Sequence, residues 1–195
     1  MNSAVLPLPG ADEAARARAL SIGLWVFIGV ATTLFGLFLT AYVMRLAGGD
    51  STAIALPPQL WLSTALLVLA SVLMQRAVVA PHGRTLLWQG GLCALAFLAA
   101  QCWAWLALQS AQVVVTGNPA ASFFYVLTAL HGLHVSGGLV AWGVTLRGEA
   151  SPSRWRIALC ARYWHLLLAV WLALYAAFEW ITPDVARVIC GGVSR

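Results

Sequence analysis

The sequence contains no lysine and few charged residues of any kind. Charged residues make up 9% of its 195 residues, whereas hydrophobic residues make up 62%. A soluble domain usually has about 25% charged residues, and a chain with so few has too little polar surface to cover a folded core in water. The mean hydropathy of +0.86 points the same way. The composition therefore excludes an ordinary soluble protein and indicates an integral membrane protein.

The distribution of charge excludes two further classes. All 11 basic residues are arginines that stand between apolar runs without forming a basic cluster, so nucleic acid is not expected as a partner. The acids lie outside the apolar runs or near an end of one: Asp12, Glu13, Asp50, Glu149, Glu179 and Asp184. A self-contained proton pump or proton-driven transporter usually has a carboxylate at mid-membrane, and this sequence has none. An inverted-repeat transporter has internal repeats, which this sequence also lacks. A small transporter is therefore disfavoured.

The four cysteines form no CxxC pair. Two of them, Cys93 and Cys102, lie inside an apolar run, where cysteine behaves as a small hydrophobic residue. The spacing therefore favours neither a disulfide framework nor a thiolate metal site.

Five apolar runs are long enough to cross a membrane as helices. They are predicted at about 20–46, 58–80, 85–110, 121–146 and 157–182. The connections are short and rich in Gly, Pro and Asn, which leaves no room for a soluble domain. We predict an all-α bundle of five transmembrane helices over 20–182, an N-terminal cytoplasmic segment over 1–19 and an outer C-terminal tail over 183–195.

The arginines predict the orientation of the bundle, because cytoplasmic loops are enriched in positive charge. With a cytoplasmic N-terminus, eight arginines lie inside: Arg16, Arg18, Arg76, Arg84, Arg147, Arg154, Arg156 and Arg162. Three lie outside: Arg45, Arg187 and Arg195. The N-terminus is therefore predicted inside and the C-terminus outside.

Three histidines within the apolar runs are candidates for haem or metal ligands. His131 and His134 lie on one face of the fourth helix, so they cannot bind opposite sides of one haem. His165 on the fifth helix could pair with either, which leaves a small haem-b electron carrier as a hypothesis. Zinc would need more ligands, and no carboxylate lies at that depth. The favoured interpretation is that these histidines form hydrogen bonds between helices.

Small residues form stripes on two predicted helices. They are Gly29, Thr33, Gly36 and Thr40 on the first, and Gly132, Ser136 and Gly143 on the fourth. Such stripes let helices approach closely in lipid, either within the bundle or against another chain.

Three motifs resemble subunit III of the haem–copper oxidases. The stretch FFYVLTALHGLHV at 123–135 contains Phe124, His131, Gly132 and His134. Tyr163-Trp164-His165 with Val170-Trp171 resembles the last helix of that family. A looser match on the first helix comprises Trp25, Phe27, Phe35, Gly36, Tyr42 and Arg45. The resemblance extends over essentially the whole chain and is to the short five-helix form.

This resemblance implies a non-catalytic accessory subunit of a bacterial terminal oxidase in the inner membrane. Family members carry no haem or copper, which belong to partner subunits. They pack on subunit I, with subunit II in the same complex, bind phospholipids, and support proton uptake and sustained turnover. No catalytic, cofactor or metal residue is therefore expected in this chain. An accessory subunit of a nitric oxide reductase-type complex remains an alternative.

Two positions depart from the family pattern. A Glu that is frequent on the first of these helices is replaced by Ala31, and an Asp three residues after the last-helix histidine is replaced by Leu168. A role that depends on the buried Glu therefore does not carry over to this chain.

Overall fold

The computed structural model describes residues 11–48, 56–113, 118–147 and 153–191, and these form helices and no strand. The helices are α1 (Ala11–Ala47), α2 (Gln59–Val79), α3 (Gly83–Ser110), α4 (Pro119–Leu146), α5 (Arg154–Trp180) and α6 (Pro183–Ile189). The predicted all-α class is confirmed.

The first five helices are long and apolar enough to cross a membrane. The shortest, α2, has 21 residues. At a rise of about 1.5 Å per residue it is about 32 Å long, close to the thickness of the hydrocarbon core. The predicted number of transmembrane helices is confirmed.

Two helical segments extend beyond the predicted spans. Helix α1 begins at Ala11 rather than near residue 20, so part of the predicted cytoplasmic segment is helical. That part is rich in alanine, the best helix former, and the acids Asp12 and Glu13 favour the positive end of the helix dipole. Helix α6 forms within the predicted tail, where Pro183 occupies the first turn and the Thr182 hydroxyl accepts a hydrogen bond from the Val185 amide.

Helices α2 to α5 form a four-helix bundle in which consecutive helices are neighbours and α5 closes the ring against α2. Helix α1 lies outside this ring, against α4, α5 and α6. Only 11% of the most apolar stretch of α1 is buried, compared with 39% of the corresponding stretch in each of the other four long helices. Helix α1 is therefore the peripheral element of the fold.

The core has two parts. The larger lies among α2 to α5 and contains Phe97, Phe124, Trp164 and Trp171. In the smaller, Phe35, Tyr42 and Leu46 of α1 pack against Ala120 and Leu127 of α4, Leu174 of α5 and Ala186 of α6.

Candidate functional site

The motif residues separate into an interior group and a surface group. Among the residues named in the motifs, six are buried: Phe35, Tyr42, Phe124, His131, Trp164 and Trp171. Gly132, His134, Tyr163 and Val170 are partly buried, whereas the exposed members are Trp25, Phe27, Gly36, Arg45 and His165. The structure thus brings the core of the α4 motif together with that of the α5 motif, and leaves part of the α1 motif at the surface.

His131 is enclosed by aromatic rings. Its ring centroid lies 5.4 Å from that of Trp171, 5.8 Å from Phe97 and 6.3 Å from Phe35. Neither ring nitrogen has a hydrogen-bond partner in the described part of the chain. Among the described residues the predicted hydrogen bond from His131 to another helix is therefore absent, and the imidazole contributes through packing against these rings. A buried polar atom without a partner costs about 1–3 kcal/mol.

His134 lies at the junction of α1, α4 and α5. Its Nδ1 is 2.8 Å from the Leu130 carbonyl oxygen of its own helix, and among the described residues its side chain has no hydrogen bond to another helix. Its ring contacts Phe27 and Phe35 of α1, at 5.8 and 5.3 Å between centroids. The Tyr163 hydroxyl of α5 donates to the His134 carbonyl oxygen at 2.8 Å.

The two positions that depart from the family pattern lie on α1 and α5. Ala31 is buried and stands one turn from Phe27 and one turn from Phe35, on the face of α1 that contacts His134. Leu168 is partly buried and packs against the larger core. An apolar residue therefore occupies both places, and neither supplies a carboxylate.

His165 makes the predicted bonds between helices. The Ser71 hydroxyl of α2 lies 2.6 Å from its Nδ1, and the Gln75 Oε1 lies 3.0 Å from its Nε2. The imidazole is exposed at the outer surface between α2 and α5.

The arrangement of the three histidines does not fit a haem held in this chain. Both nitrogens of His165 are engaged with α2 at the surface, whereas His131 is enclosed in the core. A bis-histidine haem needs two imidazoles that face each other across the iron. In the described ranges, no group of three or more His, Cys, Asp and Glu residues is placed to hold a metal ion.

Several polar contacts between helices were not predicted from the sequence. The Trp171 indole donates to the Thr64 hydroxyl at 2.9 Å, and Trp105 donates to Thr128 at 3.1 Å. The Gln101 amide donates to Ser63 at 3.0 Å. Polar residues inside apolar runs are the sequence signal for such contacts, but they do not identify the partner.

The close helix approaches occur at glycines outside the predicted stripes. Gly91 of α3 faces the indole of Trp142, whose Nε1 donates to the Leu87 carbonyl oxygen at 2.7 Å. A Cβ at Gly138 would lie 2.9 Å from a ring carbon of Tyr163. Within the stripes, Gly29, Gly36 and Gly143 have no atom within 4 Å of an added Cβ. The stripe on α1 is therefore exposed, whereas in the stripe on α4 Gly132 and Gly143 are partly buried and an added Cβ at Gly132 would lie 3.9 Å from Leu98.

A large cavity lies at the N-terminal ends of α1 and α5 and the C-terminal end of α4. It has a volume of about 590 Å³ and is open to the surface. Its walls are mostly apolar and include Leu20, Leu24, Phe27, Val144 and Leu159, with Arg16 and Arg156 also in the lining. Trp155 lies beside them, and its Nε1 donates to the Glu13 carboxylate at 2.9 Å.

These features define a multi-pass helical membrane protein whose motif residues mainly connect its helices. Comparison with known proteins adds a more specific likeness. The chain is similar to cytochrome bo(3) ubiquinol oxidase subunit 3 of Pseudomonas aeruginosa, with 27% identity over 169 residues that cover 78% of this chain and 80% of the relative.

Shorter matches occur with two other bacterial proteins. One is the "Probable cytochrome c oxidase subunit 3" of Mycobacterium bovis, 30% identical over 95 residues that cover 46% of this chain and 47% of the relative. The other is cytochrome c oxidase subunit 3 of Synechocystis sp., 38% identical over 85 residues that cover 40% of this chain and 35% of the relative. The chain thus spans about half the length of the mycobacterial relatives and about a third of the cyanobacterial one. No family model matches it.

The resemblance predicted from the motifs is confirmed by these relatives. The chain is a multi-pass bacterial membrane protein similar to subunit 3 of cytochrome c and ubiquinol oxidases.

Proposed function

We propose that this chain is subunit III of a bacterial haem–copper terminal oxidase and acts as a non-catalytic accessory subunit. It packs on subunit I, in a complex that also contains subunit II, and it supports proton uptake and sustained turnover. The haem and copper belong to the partner subunits. The observation that carries the proposal is the match to the Pseudomonas relative, which covers more than three quarters of both chains.

The geometry of the histidines supports an accessory role over the haem-b alternative. The side chains that would have to bind iron are instead a core packing ring, His131, and a surface hydrogen-bonding group, His165. We therefore expect the purified chain to show no Soret band. A Soret band that disappears in His165→Gln would contradict the accessory role.

The principal experiment measures oxygen consumption over successive turnovers, in complexes with and without this chain. Because the chain supplies no redox group under this proposal, removing it should leave the metal centres spectroscopically intact and the first turnovers at least partly active. The rate should then decline sooner than in the complete complex. Loss of the first turnovers in a fully metallated complex would instead indicate a direct catalytic part.

We also propose that the large cavity holds a phospholipid. The phosphate would lie by Arg16 and Arg156, and an acyl chain would follow the apolar wall formed by Leu24 and Leu159. Arginine is well suited to phosphate because its planar donors bind two oxygens at once. Mass spectrometry of lipid retained by the purified chain should show a loss in Arg16→Gln/Arg156→Gln. The control Arg147→Gln alters an exposed arginine at the end of α4 and should retain the lipid.

The orientation remains a proposal, with the segment 1–19 inside and the tail 183–195 outside. The arginine bias and the odd number of spans support it. A reporter fused after residue 195 should be active in the periplasm, and activity only in the cytoplasm would reverse the assignment.

A further inference from the structure

The outer surface between α2 and α5 carries a cluster of hydrogen-bonding and cationic side chains. We define the α2–α5 face by its exposed residues Val72, Gln75, Arg76, Arg162, His165 and Leu172. Arg162 stands one turn before His165, and Arg76 follows Gln75, so the cluster lies toward the end of the bundle where α2 ends and α5 begins. Polar side chains in membrane-spanning segments usually face the protein interior or a water-filled cavity.

The hydrogen bonds of His165 determine which polar atoms remain at this face. When Nε2 carries the ring proton, the Ser71 hydroxyl donates to Nδ1 and Nε2–H donates to the Gln75 Oε1. The carbonyl oxygen of the Gln75 amide is thereby occupied by a donor. Its NH₂ group forms no bond to the described part of the chain. The face consequently presents hydrogen-bond donors that need an acceptor.

The charges at this face have the same sign. Arg76 and Arg162 are exposed, and neither forms an ion pair with a described residue. The four described acids lie elsewhere: Asp12 and Glu13 in the first turn of α1, where Glu13 accepts from Trp155, Glu179 near the end of α5, and Asp184 in α6, where it pairs with Arg187. Two guanidinium groups and an amide therefore favour an anionic acceptor, and a carboxylate is the protein group with that charge and geometry.

We propose that the α2–α5 face binds a membrane-spanning helix of a different polypeptide, which presents an aspartate or glutamate to Gln75, Arg76 and Arg162. The inference rests on the proposed function, since it assigns a contact surface for another subunit of the oxidase. The exposed side chains of Val72 and Leu172 supply apolar contact beside the polar cluster. Helices in membranes associate through such packing combined with hydrogen bonds.

Photo-crosslinking in intact membranes tests the surface directly. A benzophenone amino acid is placed at Val72 or Leu172, each 44% exposed, and at Leu95 of α3, 46% exposed, as the matched control outside this face. We expect both test positions to crosslink to one membrane-spanning peptide that contains an acidic residue, and the control not to crosslink to it. Adducts at the test positions with lipid alone, with a second copy of this chain, or with a peptide lacking an acid would overturn the proposal.

Charge variants test the chemistry of the contact. Arg162→Glu should lower the crosslink yield at Val72 about tenfold, whereas Arg162→Lys should retain most of it. Arg147→Glu, at an exposed arginine outside this face, should leave the yield unchanged. Gel filtration of each variant in detergent shows that it remains folded. Equal yields in folded Arg162→Glu and the original chain would refute recognition of a carboxylate.

The crosslinks also separate this inference from the proposed function. If a haem-bearing subunit crosslinks at Leu95 and not at Val72 or Leu172, the accessory role stands and the assigned face is wrong. If the acidic peptide at the α2–α5 face comes from a polypeptide outside any oxidase, the face is right and the proposed function is wrong.

Discussion

The contact between α3 and α4 at Gly91 offers the sharpest test of the packing. Gly91 is buried, and a Cβ added there would overlap the indole of Trp142, with Cε2, Cζ2 and Nε1 as the nearest atoms. The indole cannot move freely, because its Nε1 donates to the Leu87 carbonyl oxygen at 2.7 Å and its ring lies edge-on to Trp88. We therefore expect Gly91→Ala to destabilise the bundle.

The size of the effect follows from three contributions. Inserting a methyl group into a packed core costs about 1–3 kcal/mol. Weakening a hydrogen bond between membrane helices costs about 0.6 kcal/mol. Replacing glycine by alanine also stabilises the helix by a little less than about 1 kcal/mol, because alanine has the higher helix propensity. The net loss is about 2 kcal/mol, or about a 30-fold increase in the unfolding equilibrium constant.

Equilibrium unfolding of the full chain in mixed micelles, followed by tryptophan fluorescence as SDS is raised, measures this loss. Gly29→Ala is the matched control, since an added Cβ at Gly29 has no atom within 4 Å. The control should be unchanged or slightly more stable. If Gly91→Ala unfolded at the same SDS fraction as the original chain, Trp142 would not be held against α3 as described.

Three further predictions concern other buried groups. His131→Leu removes two ring nitrogens that have no described partner, so the free energy of unfolding should stay the same or rise by up to about 1 kcal/mol. A fall of more than about 2 kcal/mol would show that the imidazole has a polar partner. A double-mutant cycle of Trp171→Phe and Thr64→Val should give a coupling of about 0.6 kcal/mol, and no coupling would contradict the bond between their side chains. Carbodiimide reagents react with buried protonated carboxyl groups. They should label no peptide from 20–46, since that span has no Asp or Glu. Labelling there would be incompatible with the apolar residue at Ala31.

The number and approximate position of the transmembrane helices could be predicted from the sequence, because hydropathy is a local property. Pro183 marks the end of the fifth span, and Pro119 lies at the start of α4, where the Asn118 side chain caps the first turn. The local nature of hydropathy also explains why the sequence did not predict where α1 starts. Hydropathy ends where charged residues begin, whereas an alanine-rich backbone continues as helix through Arg16 and Arg18.

The motifs also identified residues that the fold places in its core, including Phe124, Trp164 and Trp171. They did so by resemblance and not by periodicity. A helix that is apolar on all sides carries little information about which side is buried.

Only the tertiary structure decided which faces meet. It placed the stripe containing Gly29 and Gly36 at the surface, and it assigned the close approach to Gly91 and Trp142, which are far apart in sequence. It likewise joined His165 to Ser71 across 94 positions, and left His131 without a polar partner in the described chain. In lipid the hydrophobic effect does not favour one apolar face of a helix over another, so packing shape and a few hydrogen bonds determine how the helices are arranged. Both depend on residues that become neighbours only when the helices have assembled.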